Sequence, residues 1–186
     1  MTHIDGHDVR GLFHRTADVV IVGSGPAGAA AAREATRLGA KVVVVEAGRQ
    51  VDAAEFRRGA WASMADLYRS AGASVVIGSA PIPYLQAEMV GGSSPINGAI
   101  CWRLPRDIHD AWIAADPALA DALPWEELEG ATDDAERRLG VAPTSPDVAG
   151  EKNRLMAVGA QALGLEHRPI RRNVRGCEGS GLCMQG

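Results

Sequence analysis

The stretch Asp18 to Gly28, DVVIVGSGPAG, constrains this chain more than any other. Val19, Val20, Ile21 and Val22 form an unbroken β-branched run, the composition of a strand covered on both faces in a parallel sheet. Such a strand is expected at the centre of its sheet. Gly23, Gly25 and Gly28 then supply G-x-G-x-x-G, in which one glycine permits a tight turn, one lets a pyrophosphate approach the backbone, and one allows close helix packing. Free N–H groups and the dipole at the helix start attract phosphate.

The glycine spacing alone fits a plain strand-to-helix turn, so its flanks decide. Residues 27–38 are rich in alanine and carry Arg33, Glu34 and Arg37, as in a helix with a small-residue face against a sheet. Gly39 stands where such a helix ends. Lys41 to Val45 reads as a second strand closing on Glu46, whose carboxylate can accept hydrogen bonds from ribose hydroxyls. Strand, turn, helix, strand and acid in that order point to a dinucleotide.

A length of 186 residues suits one good core, or one domain with part of another. The net charge of −4 gives no footing for a nucleic-acid partner. Residues 1–17 are polar, and His3, His7 and His14 lack ligand-like spacing, so this arm is read as loosely docked rather than metal-binding. No apolar run before Asp18 resembles a signal peptide, and no segment is long enough to span a membrane. A cytoplasmic location follows as the expectation. Cys101, Cys177 and Cys183 are odd in number and outline no disulfide framework, which fits a reducing compartment.

Residues 52–70 read as a helix whose Phe56, Trp61, Met64, Leu67 and Tyr68 form a packed face. Ser74 to Ile77 reads as a strand, and Pro81-Ile82-Pro83 as an extended, irregular passage. The next informative segment is residues 91–100, GGSSPINGAI. Its paired glycines permit close backbone approach, Ser93 and Ser94 offer hydroxyls, and Asn97 offers a donor and an acceptor. By composition, an ordinary surface turn fits it equally well.

GSGPAG, EAG after the second strand and GGSSPINGAI together resemble the N-terminal part of the glucose–methanol–choline family of flavin-dependent oxidoreductases. Pro26-Ala27 looks like flavoprotein forms of the fingerprint rather than nicotinamide ones. DIHDAW (107–112), WEEL (125–128) and ERRLGV (136–141) resemble later landmarks, and RGCEGSGLC is similar to a segment of some bacterial branches. The resemblance implies FAD, with Gly23, Ser24, Gly25, Ala27 and Gly28 holding the pyrophosphate and Glu46 the adenosine ribose. Val90, Asn97, Gly98, Ala99 and Ile100 would approach the flavin half. Some members carry a histidine just before this asparagine for covalent flavin attachment; here Ile96 stands there, so non-covalent FAD is expected.

Asp107 is expected to cap a short helix with His109 at its surface. Pro124 and Trp125 open another helix, with Leu128, Ala131, Ala135 and Leu139 on one face and a solvated acidic side. Residues 142–150 read as a loop and 151–163 as a last helix, with Leu155, Met156, Gly159 and Leu163 on one packed side. Arg168, Arg171, Arg172 and Arg175 read as a solvated strand edge or a seat for an acidic partner. Cys177 and Cys183 are too widely spaced for a common zinc half-site, so no metal is expected.

The expected fold is α/β: a partial Rossmann-like FAD-binding domain with a mostly parallel sheet and the start of a helical cap or substrate region. The boundaries are an arm at 1–17, the first part of the FAD domain at 18–105, and a helical region with a Gly/Cys loop at 106–186. In a complete member the resemblance implies oxidation of an alcohol to a carbonyl, with a histidine assisting removal of the hydroxyl proton and hydride passing to flavin. The histidine pair expected for this has no match here, and neither His109 nor His167 lies in its context. The chain is therefore expected to bind FAD but to be inactive alone, needing a C-terminal remainder or second subunit. The alternatives are an NAD-binding Rossmann dehydrogenase and a non-catalytic FAD-binding subunit. Neither the alcohol nor the electron acceptor is legible.

Overall fold

The computed structural model describes residues 2–52, 55–56 and 59–179, which form two units, one ending at Asn97 and the other beginning at Gly98. In the first unit β1 (Val19–Val22) pairs in parallel with β2 (Val42–Val45), Val19 opposite Val42 and Val22 opposite Val45. Asp18 fixes that register: its N–H donates to the Lys41 carbonyl at 2.9 Å, and its carboxylate accepts from Lys41 N–H at 2.7 Å. Helix α1 (Pro26–Arg37) makes the crossover, opening on Gly25 and Pro26. It stops as expected near Gly39, whose φ of +90° is available to glycine without strain.

The α/β character and the Rossmann-like unit are realised in this strand–turn–helix–strand order. The expected central position of β1 is not: β1 pairs only with β2 among the described residues, and Val20 and Val22 are exposed. The other two strand pairs are antiparallel.

The buried centre of the first unit lies elsewhere. Met89 is completely buried among Val51, Leu67 and Ala87, with Phe56, Tyr68 and Ile96 packed around them. Residues 86–90 thread between two segments: Val90 N–H donates to the Arg49 carbonyl at 3.0 Å, and Glu88 N–H to the Leu67 carbonyl at 2.9 Å. Gly48 makes the threading possible, because a Cβ there would occupy the space of the Met89 backbone.

The helix read over 52–70 is shorter. α2 spans Ala60–Leu67, entered from an extended Gly59 and left at an extended Tyr68 that bridges Ala87. Glycine's poor helix propensity at one end and strand-like pairing at the other override the apolar periodicity. Trp61, read as core, is 85% exposed, whereas Leu67 is buried. The proline passage is also more regular than expected. β3 (Ser74–Val76) pairs antiparallel with β4 (Ile82–Tyr84), Pro83 facing Val75 in a two-stranded ribbon where an edge tolerates a missing N–H.

In the second unit α3 (Arg106–Ala115) starts from Pro105, with Asp107 in its first turn but not capping it. His109, expected at the surface, is 4% exposed: its Nε2 lies 3.0 Å from the Leu123 carbonyl, and its ring meets Trp125 edge-on at 5.2 Å. α4 (Leu119–Ala122) brings Leu123 to that position, and α5 (Trp125–Leu139) follows and ends on Gly140 in the left-handed region. Residues 142–150 are not simply a loop. β5 (Ala142–Pro143) pairs with β6 (Arg171–Arg172), and α6 (Pro146–Ala162) begins at Ser145, whose hydroxyl accepts from Asp147 N–H; Gly150 interrupts it at φ +74°. Leu155, Met156 and Leu163, expected to pack, are exposed.

Most of the arginines read as a solvated edge have partners. Arg171 and Arg103 both reach Glu136, at 2.6 and 2.5 Å, and Arg103 also reaches Asp133. The Nε and Nη2 of Arg172 donate to the Gly98 carbonyl at 3.0 and 2.7 Å. Cys101 and Cys177 are free thiols, whereas Cys183 lies outside the described residues. No described helix is long and apolar enough to cross a membrane.

Replacing Met89 by Ala is expected to destabilise the chain by about 2–5 kcal/mol, the range for truncating a fully buried side chain of this size. Urea unfolding of parent and variant measures it; a loss below about 1 kcal/mol would remove Met89 from the centre of the unit.

Candidate functional site

The glycine turn is built from the end of β1 outward. Gly23 N–H extends the parallel ladder by donating to the Val45 carbonyl at 2.7 Å, and Gly23 then turns at φ +94°. Gly28 sits where a Cβ would collide with the Gly23 carbonyl and come within 3.3 Å of Ile21 Cγ2. Its missing side chain lets α1 start flush against the strand. Around Gly23 and Gly25 the Cβ direction is open space, and Gly25, the N-cap, has no side chain to bond the first-turn N–H groups. Ala27 and Gly28 lie in that first turn, whose amides no carbonyl of the helix can reach. The result is an open, uncapped helix start.

Glu46 follows β2 and turns back on this loop. Its Oε2 accepts from Ser24 N–H at 2.8 Å and from the Ser24 hydroxyl at 2.7 Å, while Oε1 accepts from Gly48 N–H at 2.9 Å. Burial raises the carboxyl's pKa, but the bonds from Gly48 N–H, from the backbone and hydroxyl of Ser24 and from Ala47 N–H outweigh it and hold Glu46 below its ordinary value. A charged, oriented acid therefore flanks the open helix start.

A third segment joins them. Gly91 N–H donates to Ser24 Oγ at 2.8 Å, and the space beside Gly92, at φ +59°, is closed by Gly25 Cα 3.0 Å from where a Cβ would stand. The paired glycines pack onto the glycine turn itself. Sequence reasoning saw that they permit close approach but not what they approach; a double glycine is the only signal of it. Ser93 is occupied internally, its hydroxyl accepting from Ala87 N–H at 3.0 Å.

Val90 adjoins this cluster, held to Arg49 by its N–H, while Asn97 lies exposed at the end of the Ser94–Ile96 turn. Gly98, Ala99 and Ile100 belong to the second unit. There Ala99 takes φ +56°, its carbonyl accepts from Asn173 N–H at 3.1 Å, and Ile100 bridges Arg172.

An uncapped helix start, an ionised carboxylate beside it and close-packed glycines fit the donors and acceptor that a dinucleotide requires. Comparison with known proteins agrees. Residues 64–186 match the family model described as GMC oxidoreductase, and residues 17–57 the one described as pyridine nucleotide-disulphide oxidoreductase. An uncharacterized GMC-type oxidoreductase of Mycobacterium tuberculosis is 38% identical over 171 residues, 91% of this chain and 27% of that protein. A second such protein, from Sinorhizobium fredii, is 32% identical over 96% of this chain and 35% of its own length. A long-chain-alcohol oxidase of Arabidopsis thaliana is 27% identical over 99% of this chain and 24% of its own length. Thus the chain spans about a quarter to a third of these relatives. The crystal structure of pyridoxine 4-oxidase from Mesorbium loti shares the fold, with a TM-score of 0.59 at 20% identity over 87% of this chain and 37% of that one.

Because Glu46 is held below its ordinary pKa, the stability it contributes is complete above the ordinary carboxyl range and is lost as pH falls through the folded value. Glu46→Gln should be less stable than the parent at neutral pH, and the gap should close on acidification. Chemical denaturation across pH 3 to 7 (roughly the carboxyl titration range) reads this out; a gap independent of pH would mean that the charge contributes nothing.

Proposed function

The chain belongs to the GMC oxidoreductase family, and we propose that it forms the part of such an enzyme that binds FAD, within a protein that oxidises an alcohol to a carbonyl. One observation carries the reading: Glu46 and the open start of α1 converge on the same glycine turn, which suits a ribose next to a pyrophosphate. The turn formed by Gly23, Ser24, Gly25, Ala27 and Gly28 would hold the pyrophosphate, and Glu46 the adenosine ribose. Val90 and Asn97 of the first unit, and separately Gly98, Ala99 and Ile100 of the second, are the residues proposed for the flavin half.

When bound, FAD supplies the redox chemistry of the CH–OH oxidation. This chain's residues bind and orient. First-turn amides of α1 meet the negative phosphates, and the ionised Glu46 accepts a ribose hydroxyl. Attachment is proposed to be non-covalent, since Ile96 packs its apolar side chain against the Met89 cluster and offers no nucleophile. The alcohol as substrate class is supported by the long-chain-alcohol oxidase relatives. No residue of this chain is proposed as the catalytic base; His109 is buried on α3 against the Leu123 carbonyl and Trp125.

A chain purified with FAD and then desalted should keep a flavin absorption spectrum, should prefer FAD to NAD in direct titration, and should release all its flavin on denaturation. Preference for NAD would replace this reading with a nicotinamide site. Flavin remaining on the denatured polypeptide would overturn the non-covalent assignment.

A further inference from the structure

The hydrogen-bond chemistry around Ser24 has only one solution. Gly91 N–H can only donate, so Ser24 Oγ is the acceptor of that 2.8 Å bond. The Glu46 carboxylate can only accept, so the hydroxyl proton of Ser24 points to Oε2, 2.7 Å away. Ser24 N–H points to the same oxygen at 2.8 Å. Both donors of Ser24 are thereby committed to one carboxylate oxygen. A phosphodiester is an acceptor and needs donors, and Ser24 has none left to give.

The carboxylate tells the complementary story. Two donors from Ser24 fill the two lone-pair directions of Oε2, and Gly48 N–H takes one direction on Oε1. Ala47 N–H adds a further backbone contact to the same carboxylate. We propose that Ser24 is a positioning residue for the adenosine ribose and not a phosphate ligand: its two donors hold Oε2 of Glu46 and so fix how the carboxylate is presented to the ribose, and it ties that acid to Gly91. The proposal rests on the FAD reading and changes the role of one residue within it. The depressed pKa of Glu46 is consistent with it, since the Ser24 bonds are among those that favour the charged form.

The two roles separate when the ribose hydroxyls are removed from a ligand that keeps its phosphates. The probes are ADP and 2′,3′-dideoxy-ADP, titrated by calorimetry against the parent chain, Ser24→Ala and Ser24→Thr. Losing a hydrogen bond to a charged group corresponds to about a tenfold change in affinity. Ser24→Ala should therefore weaken ADP about tenfold while leaving the dideoxy ligand within about twofold of the parent, and Ser24→Thr, which keeps the hydroxyl, should restore the parental preference for ADP. Equal weakening of both ligands would make Ser24 a phosphate ligand, and no change in either would give it no role; each overturns the proposal.

A second readout uses no ligand. The side-chain carboxyl of Glu46, followed by 13C NMR, should titrate at higher pH in Ser24→Ala than in the parent or in Ser24→Thr. An unchanged midpoint overturns the tie. If the parent chain binds neither ADP nor FAD, it is the FAD reading that fails, and an unaltered Ser24→Ala titration is what separately defeats the tie.

Discussion

A single carboxylate holds together the functional end of the first unit. Glu46 receives hydrogen bonds from the N–H and hydroxyl of Ser24 and from Gly48 N–H, and these two residues belong to segments with different tasks. Ser24 belongs to the glycine turn. Gly48 belongs to the close crossing with Met89, where the buried cluster begins. Through the Ser24 hydroxyl the carboxylate also communicates with Gly91, and so with the paired glycines stacked on Gly25. A half-buried charge is tolerable only when it is met by hydrogen bonds. Here meeting that requirement is what shapes the site.

The second unit applies the same logic at its surface. Glu136 lies between Arg103 and Arg171, and the hydrogen bond from Arg103 is the main reason its carboxyl titrates below the ordinary range. These pairs connect α5 with the segments before α3 and at β6, while Arg172 closes on the Gly98 carbonyl. Exposed ion pairs contribute little stability individually. Their visible effect is register, because one planar guanidinium can satisfy two acceptors only in a narrow range of orientations.

The elements whose signals are local are legible in the residues themselves. The β-branched run, the glycine spacing, the alanine-rich helix, its terminal Gly39 and the acid after β2 each act within a few residues, and the strand–turn–helix–strand order follows directly. The misreadings share a different cause. Trp61 and His109 sit on helices with apolar periodicity, yet one is exposed and the other buried, because distant chain decides: Met89 and Ala87 choose Leu67, and Leu123 with Trp125 encloses His109. Pro81–Pro83 looked irregular because its partner strand is defined only by pairing. In the site, residue types were legible, but the Ser24 hydroxyl's two partners lie 22 and 67 residues away, beyond any motif.

The bond between Gly91 and Ser24 also has a temporal side. It closes a loop of 67 residues, and loop-closure entropy must be overcome before so distant a contact can form. During synthesis the β1–α1–β2 segment leaves the ribosome long before Gly91 does. The contacts of the β1–α1–β2 unit are available by then, but its serine gains that partner only once residues 86–90 lie against Gly48. The link between the paired glycines and the turn therefore depends on a later-made segment, whereas the βαβ contacts beneath it are local.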